Sequence, residues 1–322
     1  MSLDKMLFEV KGFLGINNVD EPSKILPRGG KSFLTEAMNI DLDDQGMPHR
    51  RQGFGAASFS GTRIHSLWSN GDICLFIDGA DLKRLNPDFT AETVRAGVGP
   101  ARMVYVAPAE KVYYTNNSVI GYVQDGTSYS FLPPTQTYKI PMLAGHLIEW
   151  FNGRLYVARK KEIWFSDPMY PGQTDSRKAF KQLPGFITLL RAVKDGMFVS
   201  DGYKTYFMSG LDPEEFSLVK VADFPAISGT DIKVDGSRVG EGFSGDVILW
   251  LTSEGFCLGG NQGLFKNLTG EYYVPPRTDP GAAYLRKAKG SHQFIVSQSA
   301  SLDLGAGTPD LPILVIVAHG TS

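Results

Sequence analysis

The sequence predicts an all-β protein, a β-propeller of six blades with an irregular N-terminal arm. Three observations lead there. Turn formers (36 Gly, 19 Pro) accompany 11% aromatic residues, a composition suited to many short strands. Asn-Gly and Asp-Gly pairs separate apolar runs, as at Asn70-Gly71, Asn152-Gly153 and Asp195-Gly196; such pairs supply the positive φ of two-residue hairpin turns. Six strand–turn–strand units recur, with turns at 71, 110, 153, 196, 245 and 290, about 44 residues apart on average. Units built of strands at a period of roughly 40–50 residues mark a propeller. A small twisted sheet cannot bury both faces alone, and packing sheets around a ring covers those faces and leaves only short edges. The rival is a pair of β-sandwiches with similar turns, which carries no fixed period.

Taken in order, residues 1–60 read as an entry arm: Pro22, Pro27 and Gly29-Gly30 interrupt them, and no period is visible. Good helix formers at 32–38 predict a helical turn. A hairpin follows, Asn39-Ile40-Asp41-Leu42 turning at 43–46 into 47–53. Residues 61–322 form the propeller. Its units pair Ile64–Trp68 with Ile73–Ile77, Met103–Val106 with Val112–Tyr114, Leu147–Phe151 with Leu155–Val157, and Leu190–Val193 with Met197–Val199. The fifth has Ser244-Gly245 ahead of Val247–Leu251, and the sixth joins Tyr284-Leu285 to Phe294–Val296 through Lys289-Gly290. Third strands are expected at Leu82–Leu85, Ile163–Phe165 and Thr205–Met208. The apolar run 311–318 reads as a buried strand. One terminal strand is expected to close the ring by pairing with a blade from the other end of the chain.

Apolar residues make up 42% and charged residues 20%, enough for a sizeable core and too apolar for wholesale disorder. With 32 Lys+Arg against 34 Asp+Glu, the net charge is -2. That argues against a general nucleic-acid coat, which needs a basic surplus to neutralise phosphates. Cys74 and Cys257 lie in apolar runs and read as buried small hydrophobes; two cysteines build neither a disulfide framework nor a zinc site. No run is apolar for the roughly 18 residues a membrane span needs, and Met1-Ser2-Leu3-Asp4-Lys5 lacks a secretory core. A soluble chain made in a cytoplasm is expected.

Gly29-Gly30-Lys31-Ser32 ends like a phosphate loop, but Ile25 stands where that loop needs glycine. Asp41, Asp43, Gln45 and Gly46 mimic half a calcium loop, whose twelfth position is here Gln52 in place of Glu. Ser200-Asp201-Gly202-Tyr203-Lys204-Thr205-Tyr206-Phe207 has the ingredients of a sialidase-type turn, once and with spacers missing. Asp72, Asp78, Asp195 and Asp201 sit where hairpin chemistry already explains them. The five histidines (His49, His65, His146, His292, His319) show no metal-ligand spacing, and no nucleophile elbow occurs. Trp68, Trp150, Trp164 and Trp250 lie in or beside strands and read mainly as core. No catalytic, cofactor or metal residues are assigned, and no cofactor is expected.

The stretches Gly12-Phe13-Leu14-Gly15-Ile16-Asn17-Asn18-Val19-Asp20 and Asn39-Ile40-Asp41-Leu42-Asp43-Asp44-Gln45-Gly46, with Arg50-Arg51-Gln52-Gly53-Phe54, resemble the start of tailed-bacteriophage virion proteins of the tail-nozzle and packaged-DNA-stabilisation (head-completion) type. Phe151-Asn152-Gly153-Arg154-Leu155-Tyr156-Val157-Ala158, Ile163-Trp164-Phe165-Ser166-Asp167-Pro168, Trp250-Leu251-Thr252-Ser253-Glu254-Gly255 and Ala282-Ala283-Tyr284-Leu285-Arg286 fit the same group. The chain is shorter than typical nozzle subunits, so a large extra domain is expected to be missing. The resemblance implies a non-enzymatic structural protein of the virion, at the head–tail connector, nozzle or tail hub. Its partners would be other tail or connector proteins and further copies in a ring, taken as a hexamer. DNA would pass without tight binding, no membrane being involved; a slightly acidic chain suits that, since like charge disfavours sticking. The 1–60 segment would be a docking arm that orders on assembly, and Arg50, Arg51, Asp43 and Asp44 are the candidate subunit contacts. The alternatives are a receptor-binding propeller recognising host surface glycans and, second, a phage glycosidase with paired carboxylates.

Overall fold

The computed structural model describes residues 11–37, 40–43, 45–51, 59–240, 242–276, 280–288, 291–298 and 313–317. Among them there is no α-helix, only strands and three 3-10 turns. No helix of the described residues is long and apolar enough to cross a membrane. The chain divides into two compact units, Gly55–Lys220 and Met1–Phe54 with Val221–Ser322.

Each of the six expected turns falls between the first and second strands of one antiparallel sheet, Lys289-Gly290 of the sixth lying outside the described residues, and the sheets follow one another along the chain. In the Gly55–Lys220 unit the first sheet is Ile64–Ser69, Cys74–Asp78, Asp81–Leu85 and Ala91–Arg95; the second is Val104–Val106, Val112–Thr115, Ile120–Gln124 and Thr127–Tyr129. The third is Leu147–Phe151, Arg154–Arg159, Glu162–Phe165 and Phe180–Gln182; the fourth is Leu189–Val193, Gly196–Ser200, Thr205–Ser209 and Ser217–Ala222, the last running into the other unit. The other unit holds a fifth sheet, Ile232–Asp235, Asp246–Thr252, Gly255–Gly259 and Phe265–Asn267, and a sixth, Gly281–Ala288, Ser291–Gln298 and Ile313–Val317. Four-stranded meanders in series, each strand paired with its neighbour in sequence, are the blades of a β-propeller.

The second strands explain why these sheets stack. Successive side chains point to opposite faces, and here both faces are covered. Tyr114 and Val112 pack with Leu75, Ile77 and Leu82 of the first sheet, whereas Tyr113 between them packs with Ile148, Leu155 and Val157 of the third. Tyr156 and Ala158 then turn the other way, against Leu190, Met197 and Val199 of the fourth. A strand buried on both faces must be apolar throughout, which is why Leu155-Tyr156-Val157-Ala158 and Met197-Phe198-Val199 carry no alternation. In the other unit Leu249, Leu251, Phe256 and Leu258 pack with Phe294 and Val296. Trp250 and Cys257 are fully buried, while Cys74 is half-buried and both thiols are free. Trp68, Trp150 and Trp164 are half-buried and stack on Tyr105, Tyr113 and Phe180.

Three features differ from expectation. The segment expected to be a helical turn at 32–38 holds a strand, Ser32–Leu34, paired in parallel with Phe13–Ile16. Phe33 packs on Tyr272, 5.4 Å between ring centroids; this tertiary contact outweighs a weak helical propensity. The strand Ile313–Val317 pairs with Ser291–Gln298, its own predecessor, so among the described residues no sheet mixes strands from the two chain ends. The third sheet also carries an insertion, where Lys139–Pro141 pairs with Gln173–Asp175.

Candidate interaction surfaces

The segment before the first sheet is tied down. Asn18 donates its backbone N–H to the Tyr272 carbonyl at 2.9 Å. Its side-chain amide donates to the Val274 carbonyl at 2.8 Å, and its side-chain oxygen accepts the Val274 N–H at 2.9 Å. Asn17 turns the chain by accepting the N–H groups of Val19 and Asp20, and Ile16 joins the core of the fifth and sixth sheets. The Asn-Asn pair of the sequence motif therefore docks the segment onto residues 272–274.

The motif hairpin pairs Ile40–Leu42 with Pro48–Arg50. Asp43 builds its turn: one carboxylate oxygen accepts the N–H groups of Gln45 (3.0 Å) and Met47 (2.8 Å), and the other lies 2.9 Å from His49 Nε2. The His49 contact, then the Met47 amide, holds the Asp43 carboxyl below its ordinary range. Gly46 takes φ +85°, and a Cβ there would stand 2.5 Å from the Phe13 carbonyl oxygen and 3.1 Å from its nitrogen. Asp41 is 6% exposed and accepts from the Arg286 guanidinium at 2.6 Å; Arg286 also donates to Gln293 Oε1 at 2.5 Å. Of the four residues singled out in the sequence, Asp43 thus serves as a turn cap. Arg50 is exposed and Arg51 half-buried; Asp44 lies outside the described residues. Asp41 and Arg286, the pair that anchors the hairpin to the sixth sheet, stand in the sequence only as a member of the calcium-loop mimic and of a separate motif, with nothing to join them. They are 245 residues apart, and only the apolar company of Asp41 hinted at burial.

Two of the acids in blade turns are occupied in the same way. Asp201 accepts the N–H groups of Tyr203 and Lys204, and Asp78 those of Thr62 and Arg63 together with the Lys83 ammonium. Asn116 does the same for Ser118 and Val119. These residues end or directly follow second strands; Asp201 and Asn116 satisfy N–H donors of the turn that follows, and Asp78 those of the segment leading into the first strand.

Antiparallel meanders give the Gly55–Lys220 unit two chemically distinct ends. At one end lie the turns between second and third strands and the loops that lead from sheet to sheet, although the loop between the second and third sheets also reaches the other end through Lys139–Pro141. There Phe186 stacks on His146, centroids 4.3 Å apart. His146 Nε2 is 2.7 Å from the Ile187 carbonyl, which can only accept, so that nitrogen carries the proton. Burial pulls the His146 pKa down, leaving the ring neutral. Tyr203 lies over Gly185, where a Cβ would stand 2.7 Å from the ring and collide with the Asp201 carbonyl. Phe186 and Tyr203 are nonetheless 52% and 67% exposed. Lys160 and Lys161 hold this loop through their carbonyls, which accept from Ile187 and Leu183 at 2.8 Å. Their side chains and that of Lys204 are exposed.

At the opposite end lie the turns between first and second strands and between third and fourth. Pro168 and Met169 occupy the centre of a turn closed by the Tyr170 N–H to the Asp167 carbonyl at 3.2 Å. Met169 has φ +58°, a left-handed conformation costly for a residue with a Cβ. Three bonds hold it: the Met169 N–H to the Gly153 carbonyl at 2.7 Å, Lys139 to Asp167 at 2.6 Å and Gln173 to Asp167 at 2.9 Å. The result presents Met169 and Tyr170 at 72% and 67% exposure. Leu211, 52% exposed, is fixed beside them by Asn152 donating to its carbonyl at 2.9 Å and by Arg154 with Asp212 at 3.2 Å.

No family model matches the chain, and no curated protein matches it. Solved structures do. A crystal structure of BBS1N in complex with ARL6DN, soaked with lead, is similar with a TM-score of 0.50 at 10% identity, over 74% of each chain. The Pan2 WD40 domain of Neurospora crassa gives 0.46 at 10% identity, over 72% of this chain and 71% of that one. PorZ of Porphyromonas gingivalis, described as a surface component of the type-IX secretion system, gives 0.46 at 8% identity; the match covers 74% of this chain and only 30% of PorZ. At such identities the likeness is one of fold alone.

Proposed function

We propose that the chain is a non-enzymatic structural protein of a tailed-bacteriophage particle, at the head–tail connector, nozzle or tail hub, with copies assembled in a ring around the DNA conduit. The observation that carries this reading is the hairpin of Ile40–Leu42 and Pro48–Arg50. The residues through which the sequence resembles virion proteins act together there as one device. Asp41 anchors it to Arg286, Asp43 shapes its turn and Gly46 lets it close on Phe13. A motif whose members cooperate in one structural task fits common descent better than chance composition. The N-terminal segment already bonded to residues 272–274 is a fixed mount, able to hold Arg50 toward a neighbouring subunit without first ordering.

Rigid blades whose turn carboxylates Asp78 and Asp201 are spent on backbone amides suit contact and support, and a net charge of -2 suits a conduit through which DNA must slide. The test is compositional. Purified particles of the phage encoding this chain, analysed by quantitative mass spectrometry, are expected to contain it in several copies each. Its absence from washed particles that contain their other tail proteins refutes the proposal.

A further inference from the structure

We propose that the two ends of the Gly55–Lys220 unit bind one another between copies of this chain, head to tail. The inference deepens the assembly reading above and rests on it for its biological setting; it names the surfaces and the partner, a second copy. Each end displays what the other lacks. The first offers Phe186 and Tyr203 beside the exposed Lys160, Lys161 and Lys204, while the nearest turn carboxylate, Asp201, is buried beneath its own amides. The second offers Met169, Tyr170 and Leu211 amid the exposed turn acids Glu110, Asp125, Glu214 and Glu215. Cations at that end are fewer and mostly paired: Lys194 is exposed, Lys178 pairs with Glu214 at 3.5 Å, Arg177 with Asp175 at 2.9 Å, Lys139 with Asp167 at 2.6 Å, and Arg154 is committed to Asp212. Apolar side chains ringed by charge of one sign on one face, and by the opposite sign on the other, are complementary.

Both patches are held ready. Tyr203 lies on Gly185 and Phe186 on His146, and the Met169 turn is pinned at three points although its backbone is strained. A surface ordered before contact loses little conformational freedom on binding, and strain held in an exposed turn is a reason to look for a use. Tyrosine and methionine are also residue types enriched at the centres of interfaces. Because the two patches differ, the contact is heterologous; such contacts close into rings when the rotation permits and otherwise run on as filaments.

Two variants with one damaged end each test this: Tyr203→Ser with Lys204→Glu, and Tyr170→Ser with Leu211→Ser. The substitutions are at exposed positions, and circular dichroism with thermal melting checks that each variant folds. In sedimentation equilibrium the natural chain is expected to associate beyond a dimer, less so as salt rises. Each variant alone should sediment at the 35.3 kDa of one chain, its self-affinity weakened at least about thirtyfold by the loss of a central aromatic contact. Mixed, the two should form a 1:1 pair and stop, since each supplies the end the other lacks. A monomeric natural chain at every concentration, a single variant that still associates, or a mixture that stays monomeric overturns the proposal. A monomer in solution with the chain present in purified particles would refute this contact and leave the virion reading standing. Self-association with absence from particles would do the reverse.

Discussion

Replacing Arg286 by alanine should release the N-terminal hairpin from the sixth sheet. Asp41 is 6% exposed and its charged partner stands 2.6 Å away, the Arg286 side chain itself being 22% exposed. The second oxygen of Asp41 is buried with no hydrogen-bond partner, so the guanidinium is what compensates this carboxylate for leaving water. Breaking one half of a buried pair costs about 3–5 kcal/mol. The partial exposure of Arg286 lets water approach, so the low end, about 3 kcal/mol, applies here. Because the chain has two compact units, a whole-molecule melt is a blunt probe. Hydrogen exchange of the turn amides is sharper: Gln45 and Met47 bond to the Asp43 carboxylate and Gly46 to its carbonyl. At 1.4 kcal/mol per factor of ten, about 3 kcal/mol predicts exchange roughly a hundredfold faster in these amides. Amides of the fourth sheet, such as Val199, should be unaffected. The double variant Asp41→Asn with Arg286→Ala should recover part of the loss, since no buried charge is then left unpaired. Exchange changing less than threefold in Arg286→Ala would mean that the pair does not anchor the hairpin.

Further outcomes follow from the same contacts. Gly46→Ala forces a Cβ onto the Phe13 backbone at positive φ and should cost about 2–3 kcal/mol in local stability, read by proteolysis ahead of the first sheet. Asp43 has a folded pKa depressed chiefly by His49 and the Met47 amide. Its stabilising effect is therefore full above the unfolded carboxylate value, roughly 4, and fades as pH falls from there through the lowered folded value. Turn-amide protection attributable to Asp43 should hold from neutrality to about pH 4 and decline below it; in Asp43→Asn that step should vanish. Burial pushes the Cys257 thiol up to about 12 and raises the half-buried Cys74 as well. A maleimide at neutral pH should therefore label Cys74 slowly and Cys257 only after denaturation, as peptide mapping would register.

How much of this was legible in the sequence follows from where the signal is local. The hairpins at Asn70-Gly71 and Asn152-Gly153 announce themselves because the turn residues and the flanking apolar runs lie within a dozen positions. The doubly buried second strands, such as Leu155-Tyr156-Val157-Ala158, are plain for the same reason. Fourth strands were not visible. Ala91–Arg95, Thr127–Tyr129 and Ser217–Ala222 are short, outer and largely solvated, so neither apolar content nor alternation marks them. Ile232–Asp235 was hidden by the long connection to Asp246–Thr252. Propensity misread 32–38, where a partner from Phe13–Ile16 decides the conformation. The surfaces were the least legible. Asp43 stood out because charge clusters are visible in sequence, yet its carboxylate is spent on its own turn. Nothing local in the sequence marks Met169, Tyr170 or Phe186, and Tyr203 stands out only as part of the 200–207 turn; it is the topology that sorts these turns onto two ends.

The most direct test is a reconstruction of the phage particle, by electron cryo-microscopy, in which this chain is located. Adjacent copies are expected around the DNA path, with the Phe186–Tyr203 end of one seated on the Met169–Tyr170 end of the next. Copies held apart by other proteins, with both ends facing solvent, would contradict it.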